Sequence, residues 1–172
     1  MRIFLIGFMA SGKSHWGKQL AQRLLLPFVD LDKTIENSCQ MSISEIFNTK
    51  GETEFRNIET AVLEEQIANQ SEFVMACGGG IMLSDTNRRL LKSAGITVFV
   101  DTPTQTIINR LLNDAGNRPL LENLTPNELE SKVKRMMEGR RNNYESANIF
   151  FYPEHETLGD LVNKLTRKIH RK

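Results

Sequence analysis

The sequence predicts an α/β protein built on an open parallel sheet with helices on both faces. Three observations predict it. Five short apolar runs recur along the 172-residue chain, at Arg2–Ile6, Phe28–Val29, Phe73–Cys77, Ile96–Val100 and Ile149–Phe151. Several are apolar without alternation, as parallel strands buried on both faces are. Helix-patterned segments lie between them, and that alternation is the signature of a parallel sheet. The first strand passes into the first helix through Gly7-Phe8-Met9-Ala10-Ser11-Gly12-Lys13-Ser14, a Gly-x-x-x-x-Gly-Lys-Ser loop. Ligands of such a sheet gather at the carboxyl ends of its strands.

The elements follow in order. A first helix over about 13–25 carries Trp16, Leu20 and Leu24 on one face. After the strand at Phe28–Val29, helical segments are expected at about 33–38, 43–48 and 52–69. The strand at 73–77 runs into Gly78-Gly79-Gly80. Ser84-Asp85 starts a helix over 84–93, and Gly95 stops it. After the strand at 96–100, Thr102-Pro103 starts a helix over 104–112. The stretch from Asn113 to Leu124 is polar and aperiodic, and reads either as a lid or as an ordinary long loop. Thr125-Pro126-Asn127-Glu128 places Pro at the first helical position and Glu at the capping-box position of a helix over 126–145. A last helix is expected over 157–170. No repeat or interdomain linker interrupts the chain, which reads as one domain over residues 1–172.

Composition excludes several classes. Lys and Arg number 22 against 21 Asp and Glu, so there is no basic footprint for nucleic acid or an anionic membrane. The basic end, Arg167 to Lys172, reads as a solvated helix terminus. The two cysteines, Cys39 and Cys77, are too few for a disulfide scaffold and lack metal-site spacing. Cys77 ends an apolar run and reads as a small buried hydrophobe. No run is long enough to span a membrane. A soluble protein of a reducing compartment, the cytoplasm, is expected.

The glycine loop carries the chemistry. Its N–H groups and the positive end of the following helix make a nest for phosphate. Lys13 reaches the β- and γ-phosphates, and the Ser14 hydroxyl ligates Mg²⁺, so a nucleoside triphosphate is the expected ligand. Asp30 and Asp32 stand two apart at a strand end, where one can hold Mg²⁺ and the other can accept a hydrogen bond from an attacking hydroxyl. Asp32 also suits the N-cap of the helix that follows. Three consecutive glycines, Gly78 to Gly80, suit a ligand that approaches bare backbone, or a flexible turn. Arg56 has Glu59 one turn on to orient it. Arg118 lies in the polar stretch, and Arg140 and Arg141 lie on a helix. Arginines of this kind grip carboxylates or stabilise a transferring phosphoryl group.

The ordered set of glycine loop, Asp30-x-Asp32, Phe55-Arg56-x-x-Glu59, Gly78-Gly79-Gly80, Arg118-Pro119-Leu120-Leu121 and Arg140-x-x-x-Tyr144 resembles the shikimate kinase family over essentially the whole chain. The resemblance implies a fold like that of the nucleoside monophosphate kinases, with a five-stranded parallel sheet in the order 2-3-1-4-5. A substrate-binding subdomain at about 31–60 and a lid at about 113–125 go with it. It implies transfer of the γ-phosphate of ATP, as co-substrate with Mg²⁺, to the 3-hydroxyl of shikimate, in the route to chorismate and the aromatic amino acids. It further implies a monomer.

By the same resemblance, Gly7, Ala10, Ser11, Gly12, Lys13 and Ser14 enclose the phosphates, and Asp30 holds Mg²⁺ through water beside Ser14. Asp32 binds the shikimate hydroxyls and activates the nucleophile. Arg56, fixed by Glu59, and Arg140 grip the carboxylate. Gly78, Gly79 and Gly80 present backbone, and Phe47, Phe55, Pro119 and Leu120 supply apolar walls. Arg118 reaches the phosphates from the lid, and Arg110 lies against adenine. Phosphoryl transfer needs no histidine, so His15 reads as structural.

Three departures from the family pattern stand out. The loop reads Met-Ala-Ser-Gly for Met-Gly-Ala-Gly, a proline is missing near Asn142, and the 152–156 segment does not match the family's adenine contacts. Arg141 beside Arg140 makes the carboxylate ligand a question of register. The rivals are a gluconate kinase of the same architecture and a non-catalytic ATP-binding regulator.

Overall fold

The computed structural model describes residues 1–113, 119–121 and 124–170. Five strands, β1 (Arg2–Ile6), β2 (Phe28–Asp30), β3 (Phe73–Ala76), β4 (Ile96–Val100) and β5 (Ile149–Phe151), pair in parallel in the order β2-β3-β1-β4-β5. Seven helices flank them: α1 (Lys13–Leu24), α2 (Leu31–Cys39), α3 (Ile43–Asn69), α4 (Asp85–Ala94), α5 (Thr104–Asn113), α6 (Pro126–Glu145) and α7 (Leu158–Ile169).

The unbroken hydrophobicity of the strands now has its reason. Phe4, Ile6, Phe73, Met75 and Phe99 face a core shared with α2 to α6. Ile3, Leu5, Val74, Val98 and Val100 face a second core closed by α1 and α7 through Leu20, Leu161 and Leu165. Both faces exclude water, so successive side chains are all apolar.

Register sets where the site lies. Leu5 pairs with Ala76 and with Val98, and Asp30 pairs with Ala76. The loops after β2, β3 and β1 therefore leave the sheet at one level and side by side. Every segment that the sequence marked for chemistry near a strand end, Asp30–Asp32, Gly78–Gly80 and Gly7–Ser14, emerges there.

The caps at Ser84 and at Thr125, with its capping box to Glu128, form as expected. Ser42 with Glu45, and Thr157 with Asp160, make two further capping boxes. The expected break between helices at 43–48 and 52–69 falls at Gly51, whose φ of 82° and ψ of 169° interrupt α3.

One local expectation is corrected. Asp30, not Asp32, caps α2, because the helix starts directly at Leu31 and the Asp30 side chain accepts from the Lys33 amide. Thr102-Pro103 precedes α5 as expected, and the Thr102 hydroxyl donates to the carbonyl of Ser11 at 2.8 Å. A single 3₁₀ turn, Ile81–Leu83, follows the glycines before α4 and was not expected. Of the proposed lid, residues 114–118, with Arg118, and residues 122–123 lie outside the described residues. The turn Pro119–Leu121 follows, and Leu121 is buried in the core.

Helix α1 ends without the usual glycine. Leu25 closes it in the left-handed region at φ 55°, and its side chain is 92% exposed. That conformation costs an L residue about 1–2 kcal/mol, and the exposed side chain returns no burial. Leu25→Gly is therefore expected to raise stability by about 0.5–1 kcal/mol after the entropy of glycine in the unfolded chain is set against it. A rise in the urea midpoint at unchanged slope checks this.

Candidate active site

The glycine loop turns its carbonyls toward the protein and its amides away. The Phe8 carbonyl accepts from the Ser11 amide at 3.2 Å and from Lys13 Nζ at 2.8 Å. The Ala10 carbonyl accepts from Arg110 Nη1 at 2.9 Å, and that of Ser11 from Thr102. Ala10 at φ 58° and Gly12 at φ 95° supply the left-handed turns this requires. Gly12 caps α1 with no side-chain acceptor, so the first amides of the helix stay open to an anion. The Ser11 hydroxyl is buried and has no partner among the described residues. Such a nest fits phosphate oxygens, which accept only.

Beside it lies a cleft of about 780 Å³ bordered by Gly12, His15, Trp16, Thr106, Asn109 and Arg110. Arg110, which the resemblance sets against adenine, lines this cleft. His15 pairs with Gln19 along α1, which agrees with a structural role. Glu154 accepts from Thr106 at 2.5 Å and ties the 152–156 segment to α5.

Ser14 donates to Asp30 Oδ2 at 2.7 Å. A hydroxyl and a carboxylate from two elements meet at the mouth of the phosphate nest. Among the described residues no cluster of three His, Cys, Asp or Glu could hold a metal. The hydroxyl and carboxylate of Ser14 and Asp30 are oxygen donors of the kind Mg²⁺ takes, since it keeps waters and binds through one or two protein oxygens plus substrate phosphates.

A second cavity of about 400 Å³ opens next to these groups. Its wall is the glycine run, which leads from Asp32 at one end to Arg56 at the other. A Cβ on Gly78 would fall 2.6 Å from Glu59 Oε1 and 2.9 Å from Asp32 Oδ1. A Cβ on Gly80 would strike the Arg56 guanidinium. Arg56 donates to Glu59 Oε2 at 2.8 Å and to Glu52 at 3.2 Å. Phe47 and Phe55, with ring centroids 4.6 Å apart, and Leu120 give the cavity its apolar side.

Arg140 is 9% exposed, lines the cavity and sits over the Phe8 ring at 5.6 Å. Its neighbour Arg141 points away, paired in bidentate fashion with Asp101 at 2.9 and 2.8 Å and with Glu145 at 2.6 Å. One residue of helix is 100° of rotation, so only one of the two can face the cavity.

Charge is held under tension here. Burial pushes the Asp32 carboxyl above its ordinary value, with Lys13 pulling down and Asp30 and Glu36 adding to the rise. Burial likewise pushes up Glu59, against the pull of Arg56. Cys77, fully buried beneath them, has its thiol pushed up by burial and is the inert core residue its sequence context implied.

The structure thus gathers Lys13, Ser14, Asp30, Asp32, Arg56, the three glycines and Arg140 around adjoining spaces, with Arg110 at the nucleotide cleft. Arg118 and the side chain of Pro119 lie outside the described residues. Sequence reasoning missed Thr102 and the Ser11 hydroxyl, which no local pattern marks. It also assigned no role to Tyr144, although Tyr144 stood inside a motif it quoted.

The shikimate kinase family model matches residues 9–170. A shikimate kinase from a Sulfurihydrogenibium species is 41% identical over 170 residues, which cover 99% of this chain and 98% of that protein. The solved shikimate kinase of Acinetobacter baumannii, in complex with shikimate, matches at a TM-score of 0.86 and 34% identity, covering 99% of this chain and 93% of that one. A gluconokinase from Sinorhizobium meliloti matches at a TM-score of 0.55 and 16% identity over 99% of this chain and 91% of its own, a likeness of fold alone.

The raised Asp32 carboxyl makes a stability prediction. Well below its ordinary value of 3.8, folded and unfolded chains both carry the proton and Asp32 costs nothing. As pH rises past that value the unfolded chain ionises freely while the folded chain resists, so stability falls until the folded carboxyl ionises too. Asp32→Asn is therefore expected to melt above the parent at neutral pH, with the gap closing in acid. Melting curves across pH check it; a variant that melts lower at neutral pH contradicts it.

Proposed function

The chain belongs to the shikimate kinase family, and we propose that the cavity bounded by Asp32, Gly78–Gly80, Arg56 and Arg140 is where it holds shikimate. As a member of that family it is an ATP-dependent phosphotransferase that acts on a hydroxyl group of shikimate. The observation that carries the site assignment is the polarity of the 400 Å³ cavity, with guanidinium groups at one end and Asp32 beside the phosphate nest at the other. Shikimate has one carboxylate and several hydroxyls, and its two ends match those two ends.

In this reading Arg56 and Arg140 hold the carboxylate, and Glu59 keeps Arg56 in place. The bare amides of Gly78 to Gly80 meet ring hydroxyls. Asp32 accepts a hydrogen bond from the 3-hydroxyl and aims its oxygen at the γ-phosphorus. That oxygen forms the new bond to phosphorus as the bond to the departing ADP oxygen breaks. The hydroxyl proton passes to the Asp32 carboxylate, whose burial raises its proton affinity. The loop amides and Lys13 hold the phosphates and disperse charge that builds during transfer. Ser14, and Asp30 through water, would hold Mg²⁺, which would supply neutralisation of the phosphate charge. Arg118 adds a further cation from the segment about 113–125, which acts as a lid. Residues of about 31–60 act as the substrate-binding subdomain.

The gluconate reading is not favoured, because the likeness to the gluconokinase extends to the fold alone. Among the described residues no helix is long and apolar enough to cross a membrane. A cytoplasmic monomer is the reading that goes with membership of the family.

Two measurements test the assignment. ADP release with MgATP is expected to depend on shikimate and not on gluconate, and to stop on chelation and resume with added Mg²⁺. Release with gluconate alone, or none with shikimate, overturns the reading. Arg140→Ala is expected to raise the KM for shikimate at least about 30-fold, as loss of a buried carboxylate partner does, with the KM for ATP little changed. Arg141→Ala, directed away from the cavity, is expected to leave both KM values within about twofold. The reverse pattern would assign the carboxylate to Arg141.

A further inference from the structure

We propose that Tyr144 is a positioning residue for the substrate, acting through the peptide group between Gly79 and Gly80. This rests on the reading of the adjoining cavity as the shikimate site.

Tyr144 lies one helical turn beyond Arg140 on α6, so the two side chains leave the same face of the helix. Both reach the same atom. The Tyr144 hydroxyl donates to the Gly79 carbonyl at 2.5 Å, and Arg140 Nη1 approaches that oxygen at 3.4 Å. Tyr144 is 3% exposed and its ring stacks on Phe99 at 5.2 Å with an interplanar angle of 22°. The hydroxyl is thus delivered by a ring that is itself held from behind. Burial pushes the phenol up to about 12, so it remains a donor throughout the working range.

The consequence lies on the far side of the peptide. A trans peptide group points its C=O and its N–H in opposite directions. Fixing the Gly79 oxygen toward α6 turns the Gly80 N–H away from α6, toward the cavity wall where Gly80 meets Arg56. The amides of Gly78, Gly79 and Gly80 have no acceptor among the described residues. Glycines have the widest backbone freedom of any residue, and this run would not hold one peptide orientation without such a tether. The same bond also occupies the Gly79 oxygen. Arg140 Nη1 donates to the same oxygen at the longer distance of 3.4 Å, so the two side chains share it and the remaining guanidinium donors stay with Arg140 for a ligand. One hydroxyl therefore aligns a donor on the glycine wall and shares its acceptor with the arginine beside it.

Tyr144→Phe removes the hydroxyl and leaves the ring stack. The KM for shikimate is expected to rise about tenfold, the loss of one well-placed hydrogen bond, with the KM for ATP within about twofold. In chain labelled with ¹⁵N-glycine, the Gly80 amide signal is expected to shift or broaden in the variant without ligand, while that of Gly139, exposed on α6, stays in place. A purely structural tyrosine would lower the melting temperature and leave the ratio of the two KM values and the Gly80 signal unchanged, which would overturn the proposal.

Should Tyr144→Phe fail to fold, 3-fluorotyrosine gives the same test. The chain has two tyrosines, so the Tyr152→Phe background leaves the label at Tyr144 alone. The ¹⁹F signal is expected to move on addition of shikimate and not of ADP. A signal indifferent to shikimate overturns the proposal. Failure of the broader reading is distinguishable, since the parent chain would then release no ADP with shikimate at all.

Discussion

Glu59 has no exposure to solvent, and the cavity proposed for the substrate is arranged around that one buried carboxylate. A buried charge without a partner costs several kcal/mol, so the Arg56 guanidinium, 2.8 Å away, is an obligatory companion. The pair in turn dictates what stands opposite. Its guanidinium occupies the space where a side chain at residue 80 would go, and its free oxygen occupies the space at residue 78. A side chain at either place would displace a member of the pair. Ion pairs of this kind add little to stability against apolar replacements. The gain here is geometric: Arg56 carries up to about 2 kcal/mol of side-chain freedom that is lost before a ligand arrives.

Strand order supplies the second constraint. Because β3 lies between β2 and β1, the carboxylates after β2, the glycines after β3 and the phosphate loop after β1 stand in spatial order at one edge of the sheet. An acceptor hydroxyl placed against the glycines is then flanked by Asp32 on one side and by the phosphate nest on the other. The nest is held from outside by Lys13, Thr102 and Arg110, each donating to a loop carbonyl. With these carbonyls engaged and the Ser11 amide turned to Phe8, the open amides at the start of α1 are left to an anion.

How much of this was legible in the sequence depended on whether the signal was local. The glycine loop, the capping box at Thr125 and the continuous apolar strands are local patterns, and all appear where expected. Asp30 and Asp32 were read as a pair facing one cleft, but their division of labour was not readable. Which aspartate caps α2 depends on the helix starting one residue after β2, a matter of one or two residues at a boundary. Arg140 and Arg141 are adjacent in sequence and indistinguishable by type. Only the packing of α6, with Phe8 beneath one and Asp101 opposite the other, separates them. Thr102 and Tyr144 act on carbonyls 91 and 65 residues away, and no periodicity encodes a contact of that range.

The polar groups left over in the fold also argue for the chemistry of the ligand. Among the described residues the amides of Gly78 to Gly80 have no acceptor, and Glu59 Oε1 is a buried acceptor without a donor. Each such group is a standing cost of the order of 1–3 kcal/mol where water does not reach it. A ligand that carried only anionic oxygens would satisfy the amides and repel the carboxylates at Glu59 and Asp32. A wholly neutral polyol would satisfy both but leave Arg56 and Arg140 unmatched. A ring that carries one carboxylate and several hydroxyls answers all three sets at once, since a hydroxyl both accepts from an amide and donates to a carboxylate. The proposed site gives a reason for a carboxyl at Asp32 that burial disfavours: the charge is a cost to the empty protein and, in that reading, a contact for the bound hydroxyl.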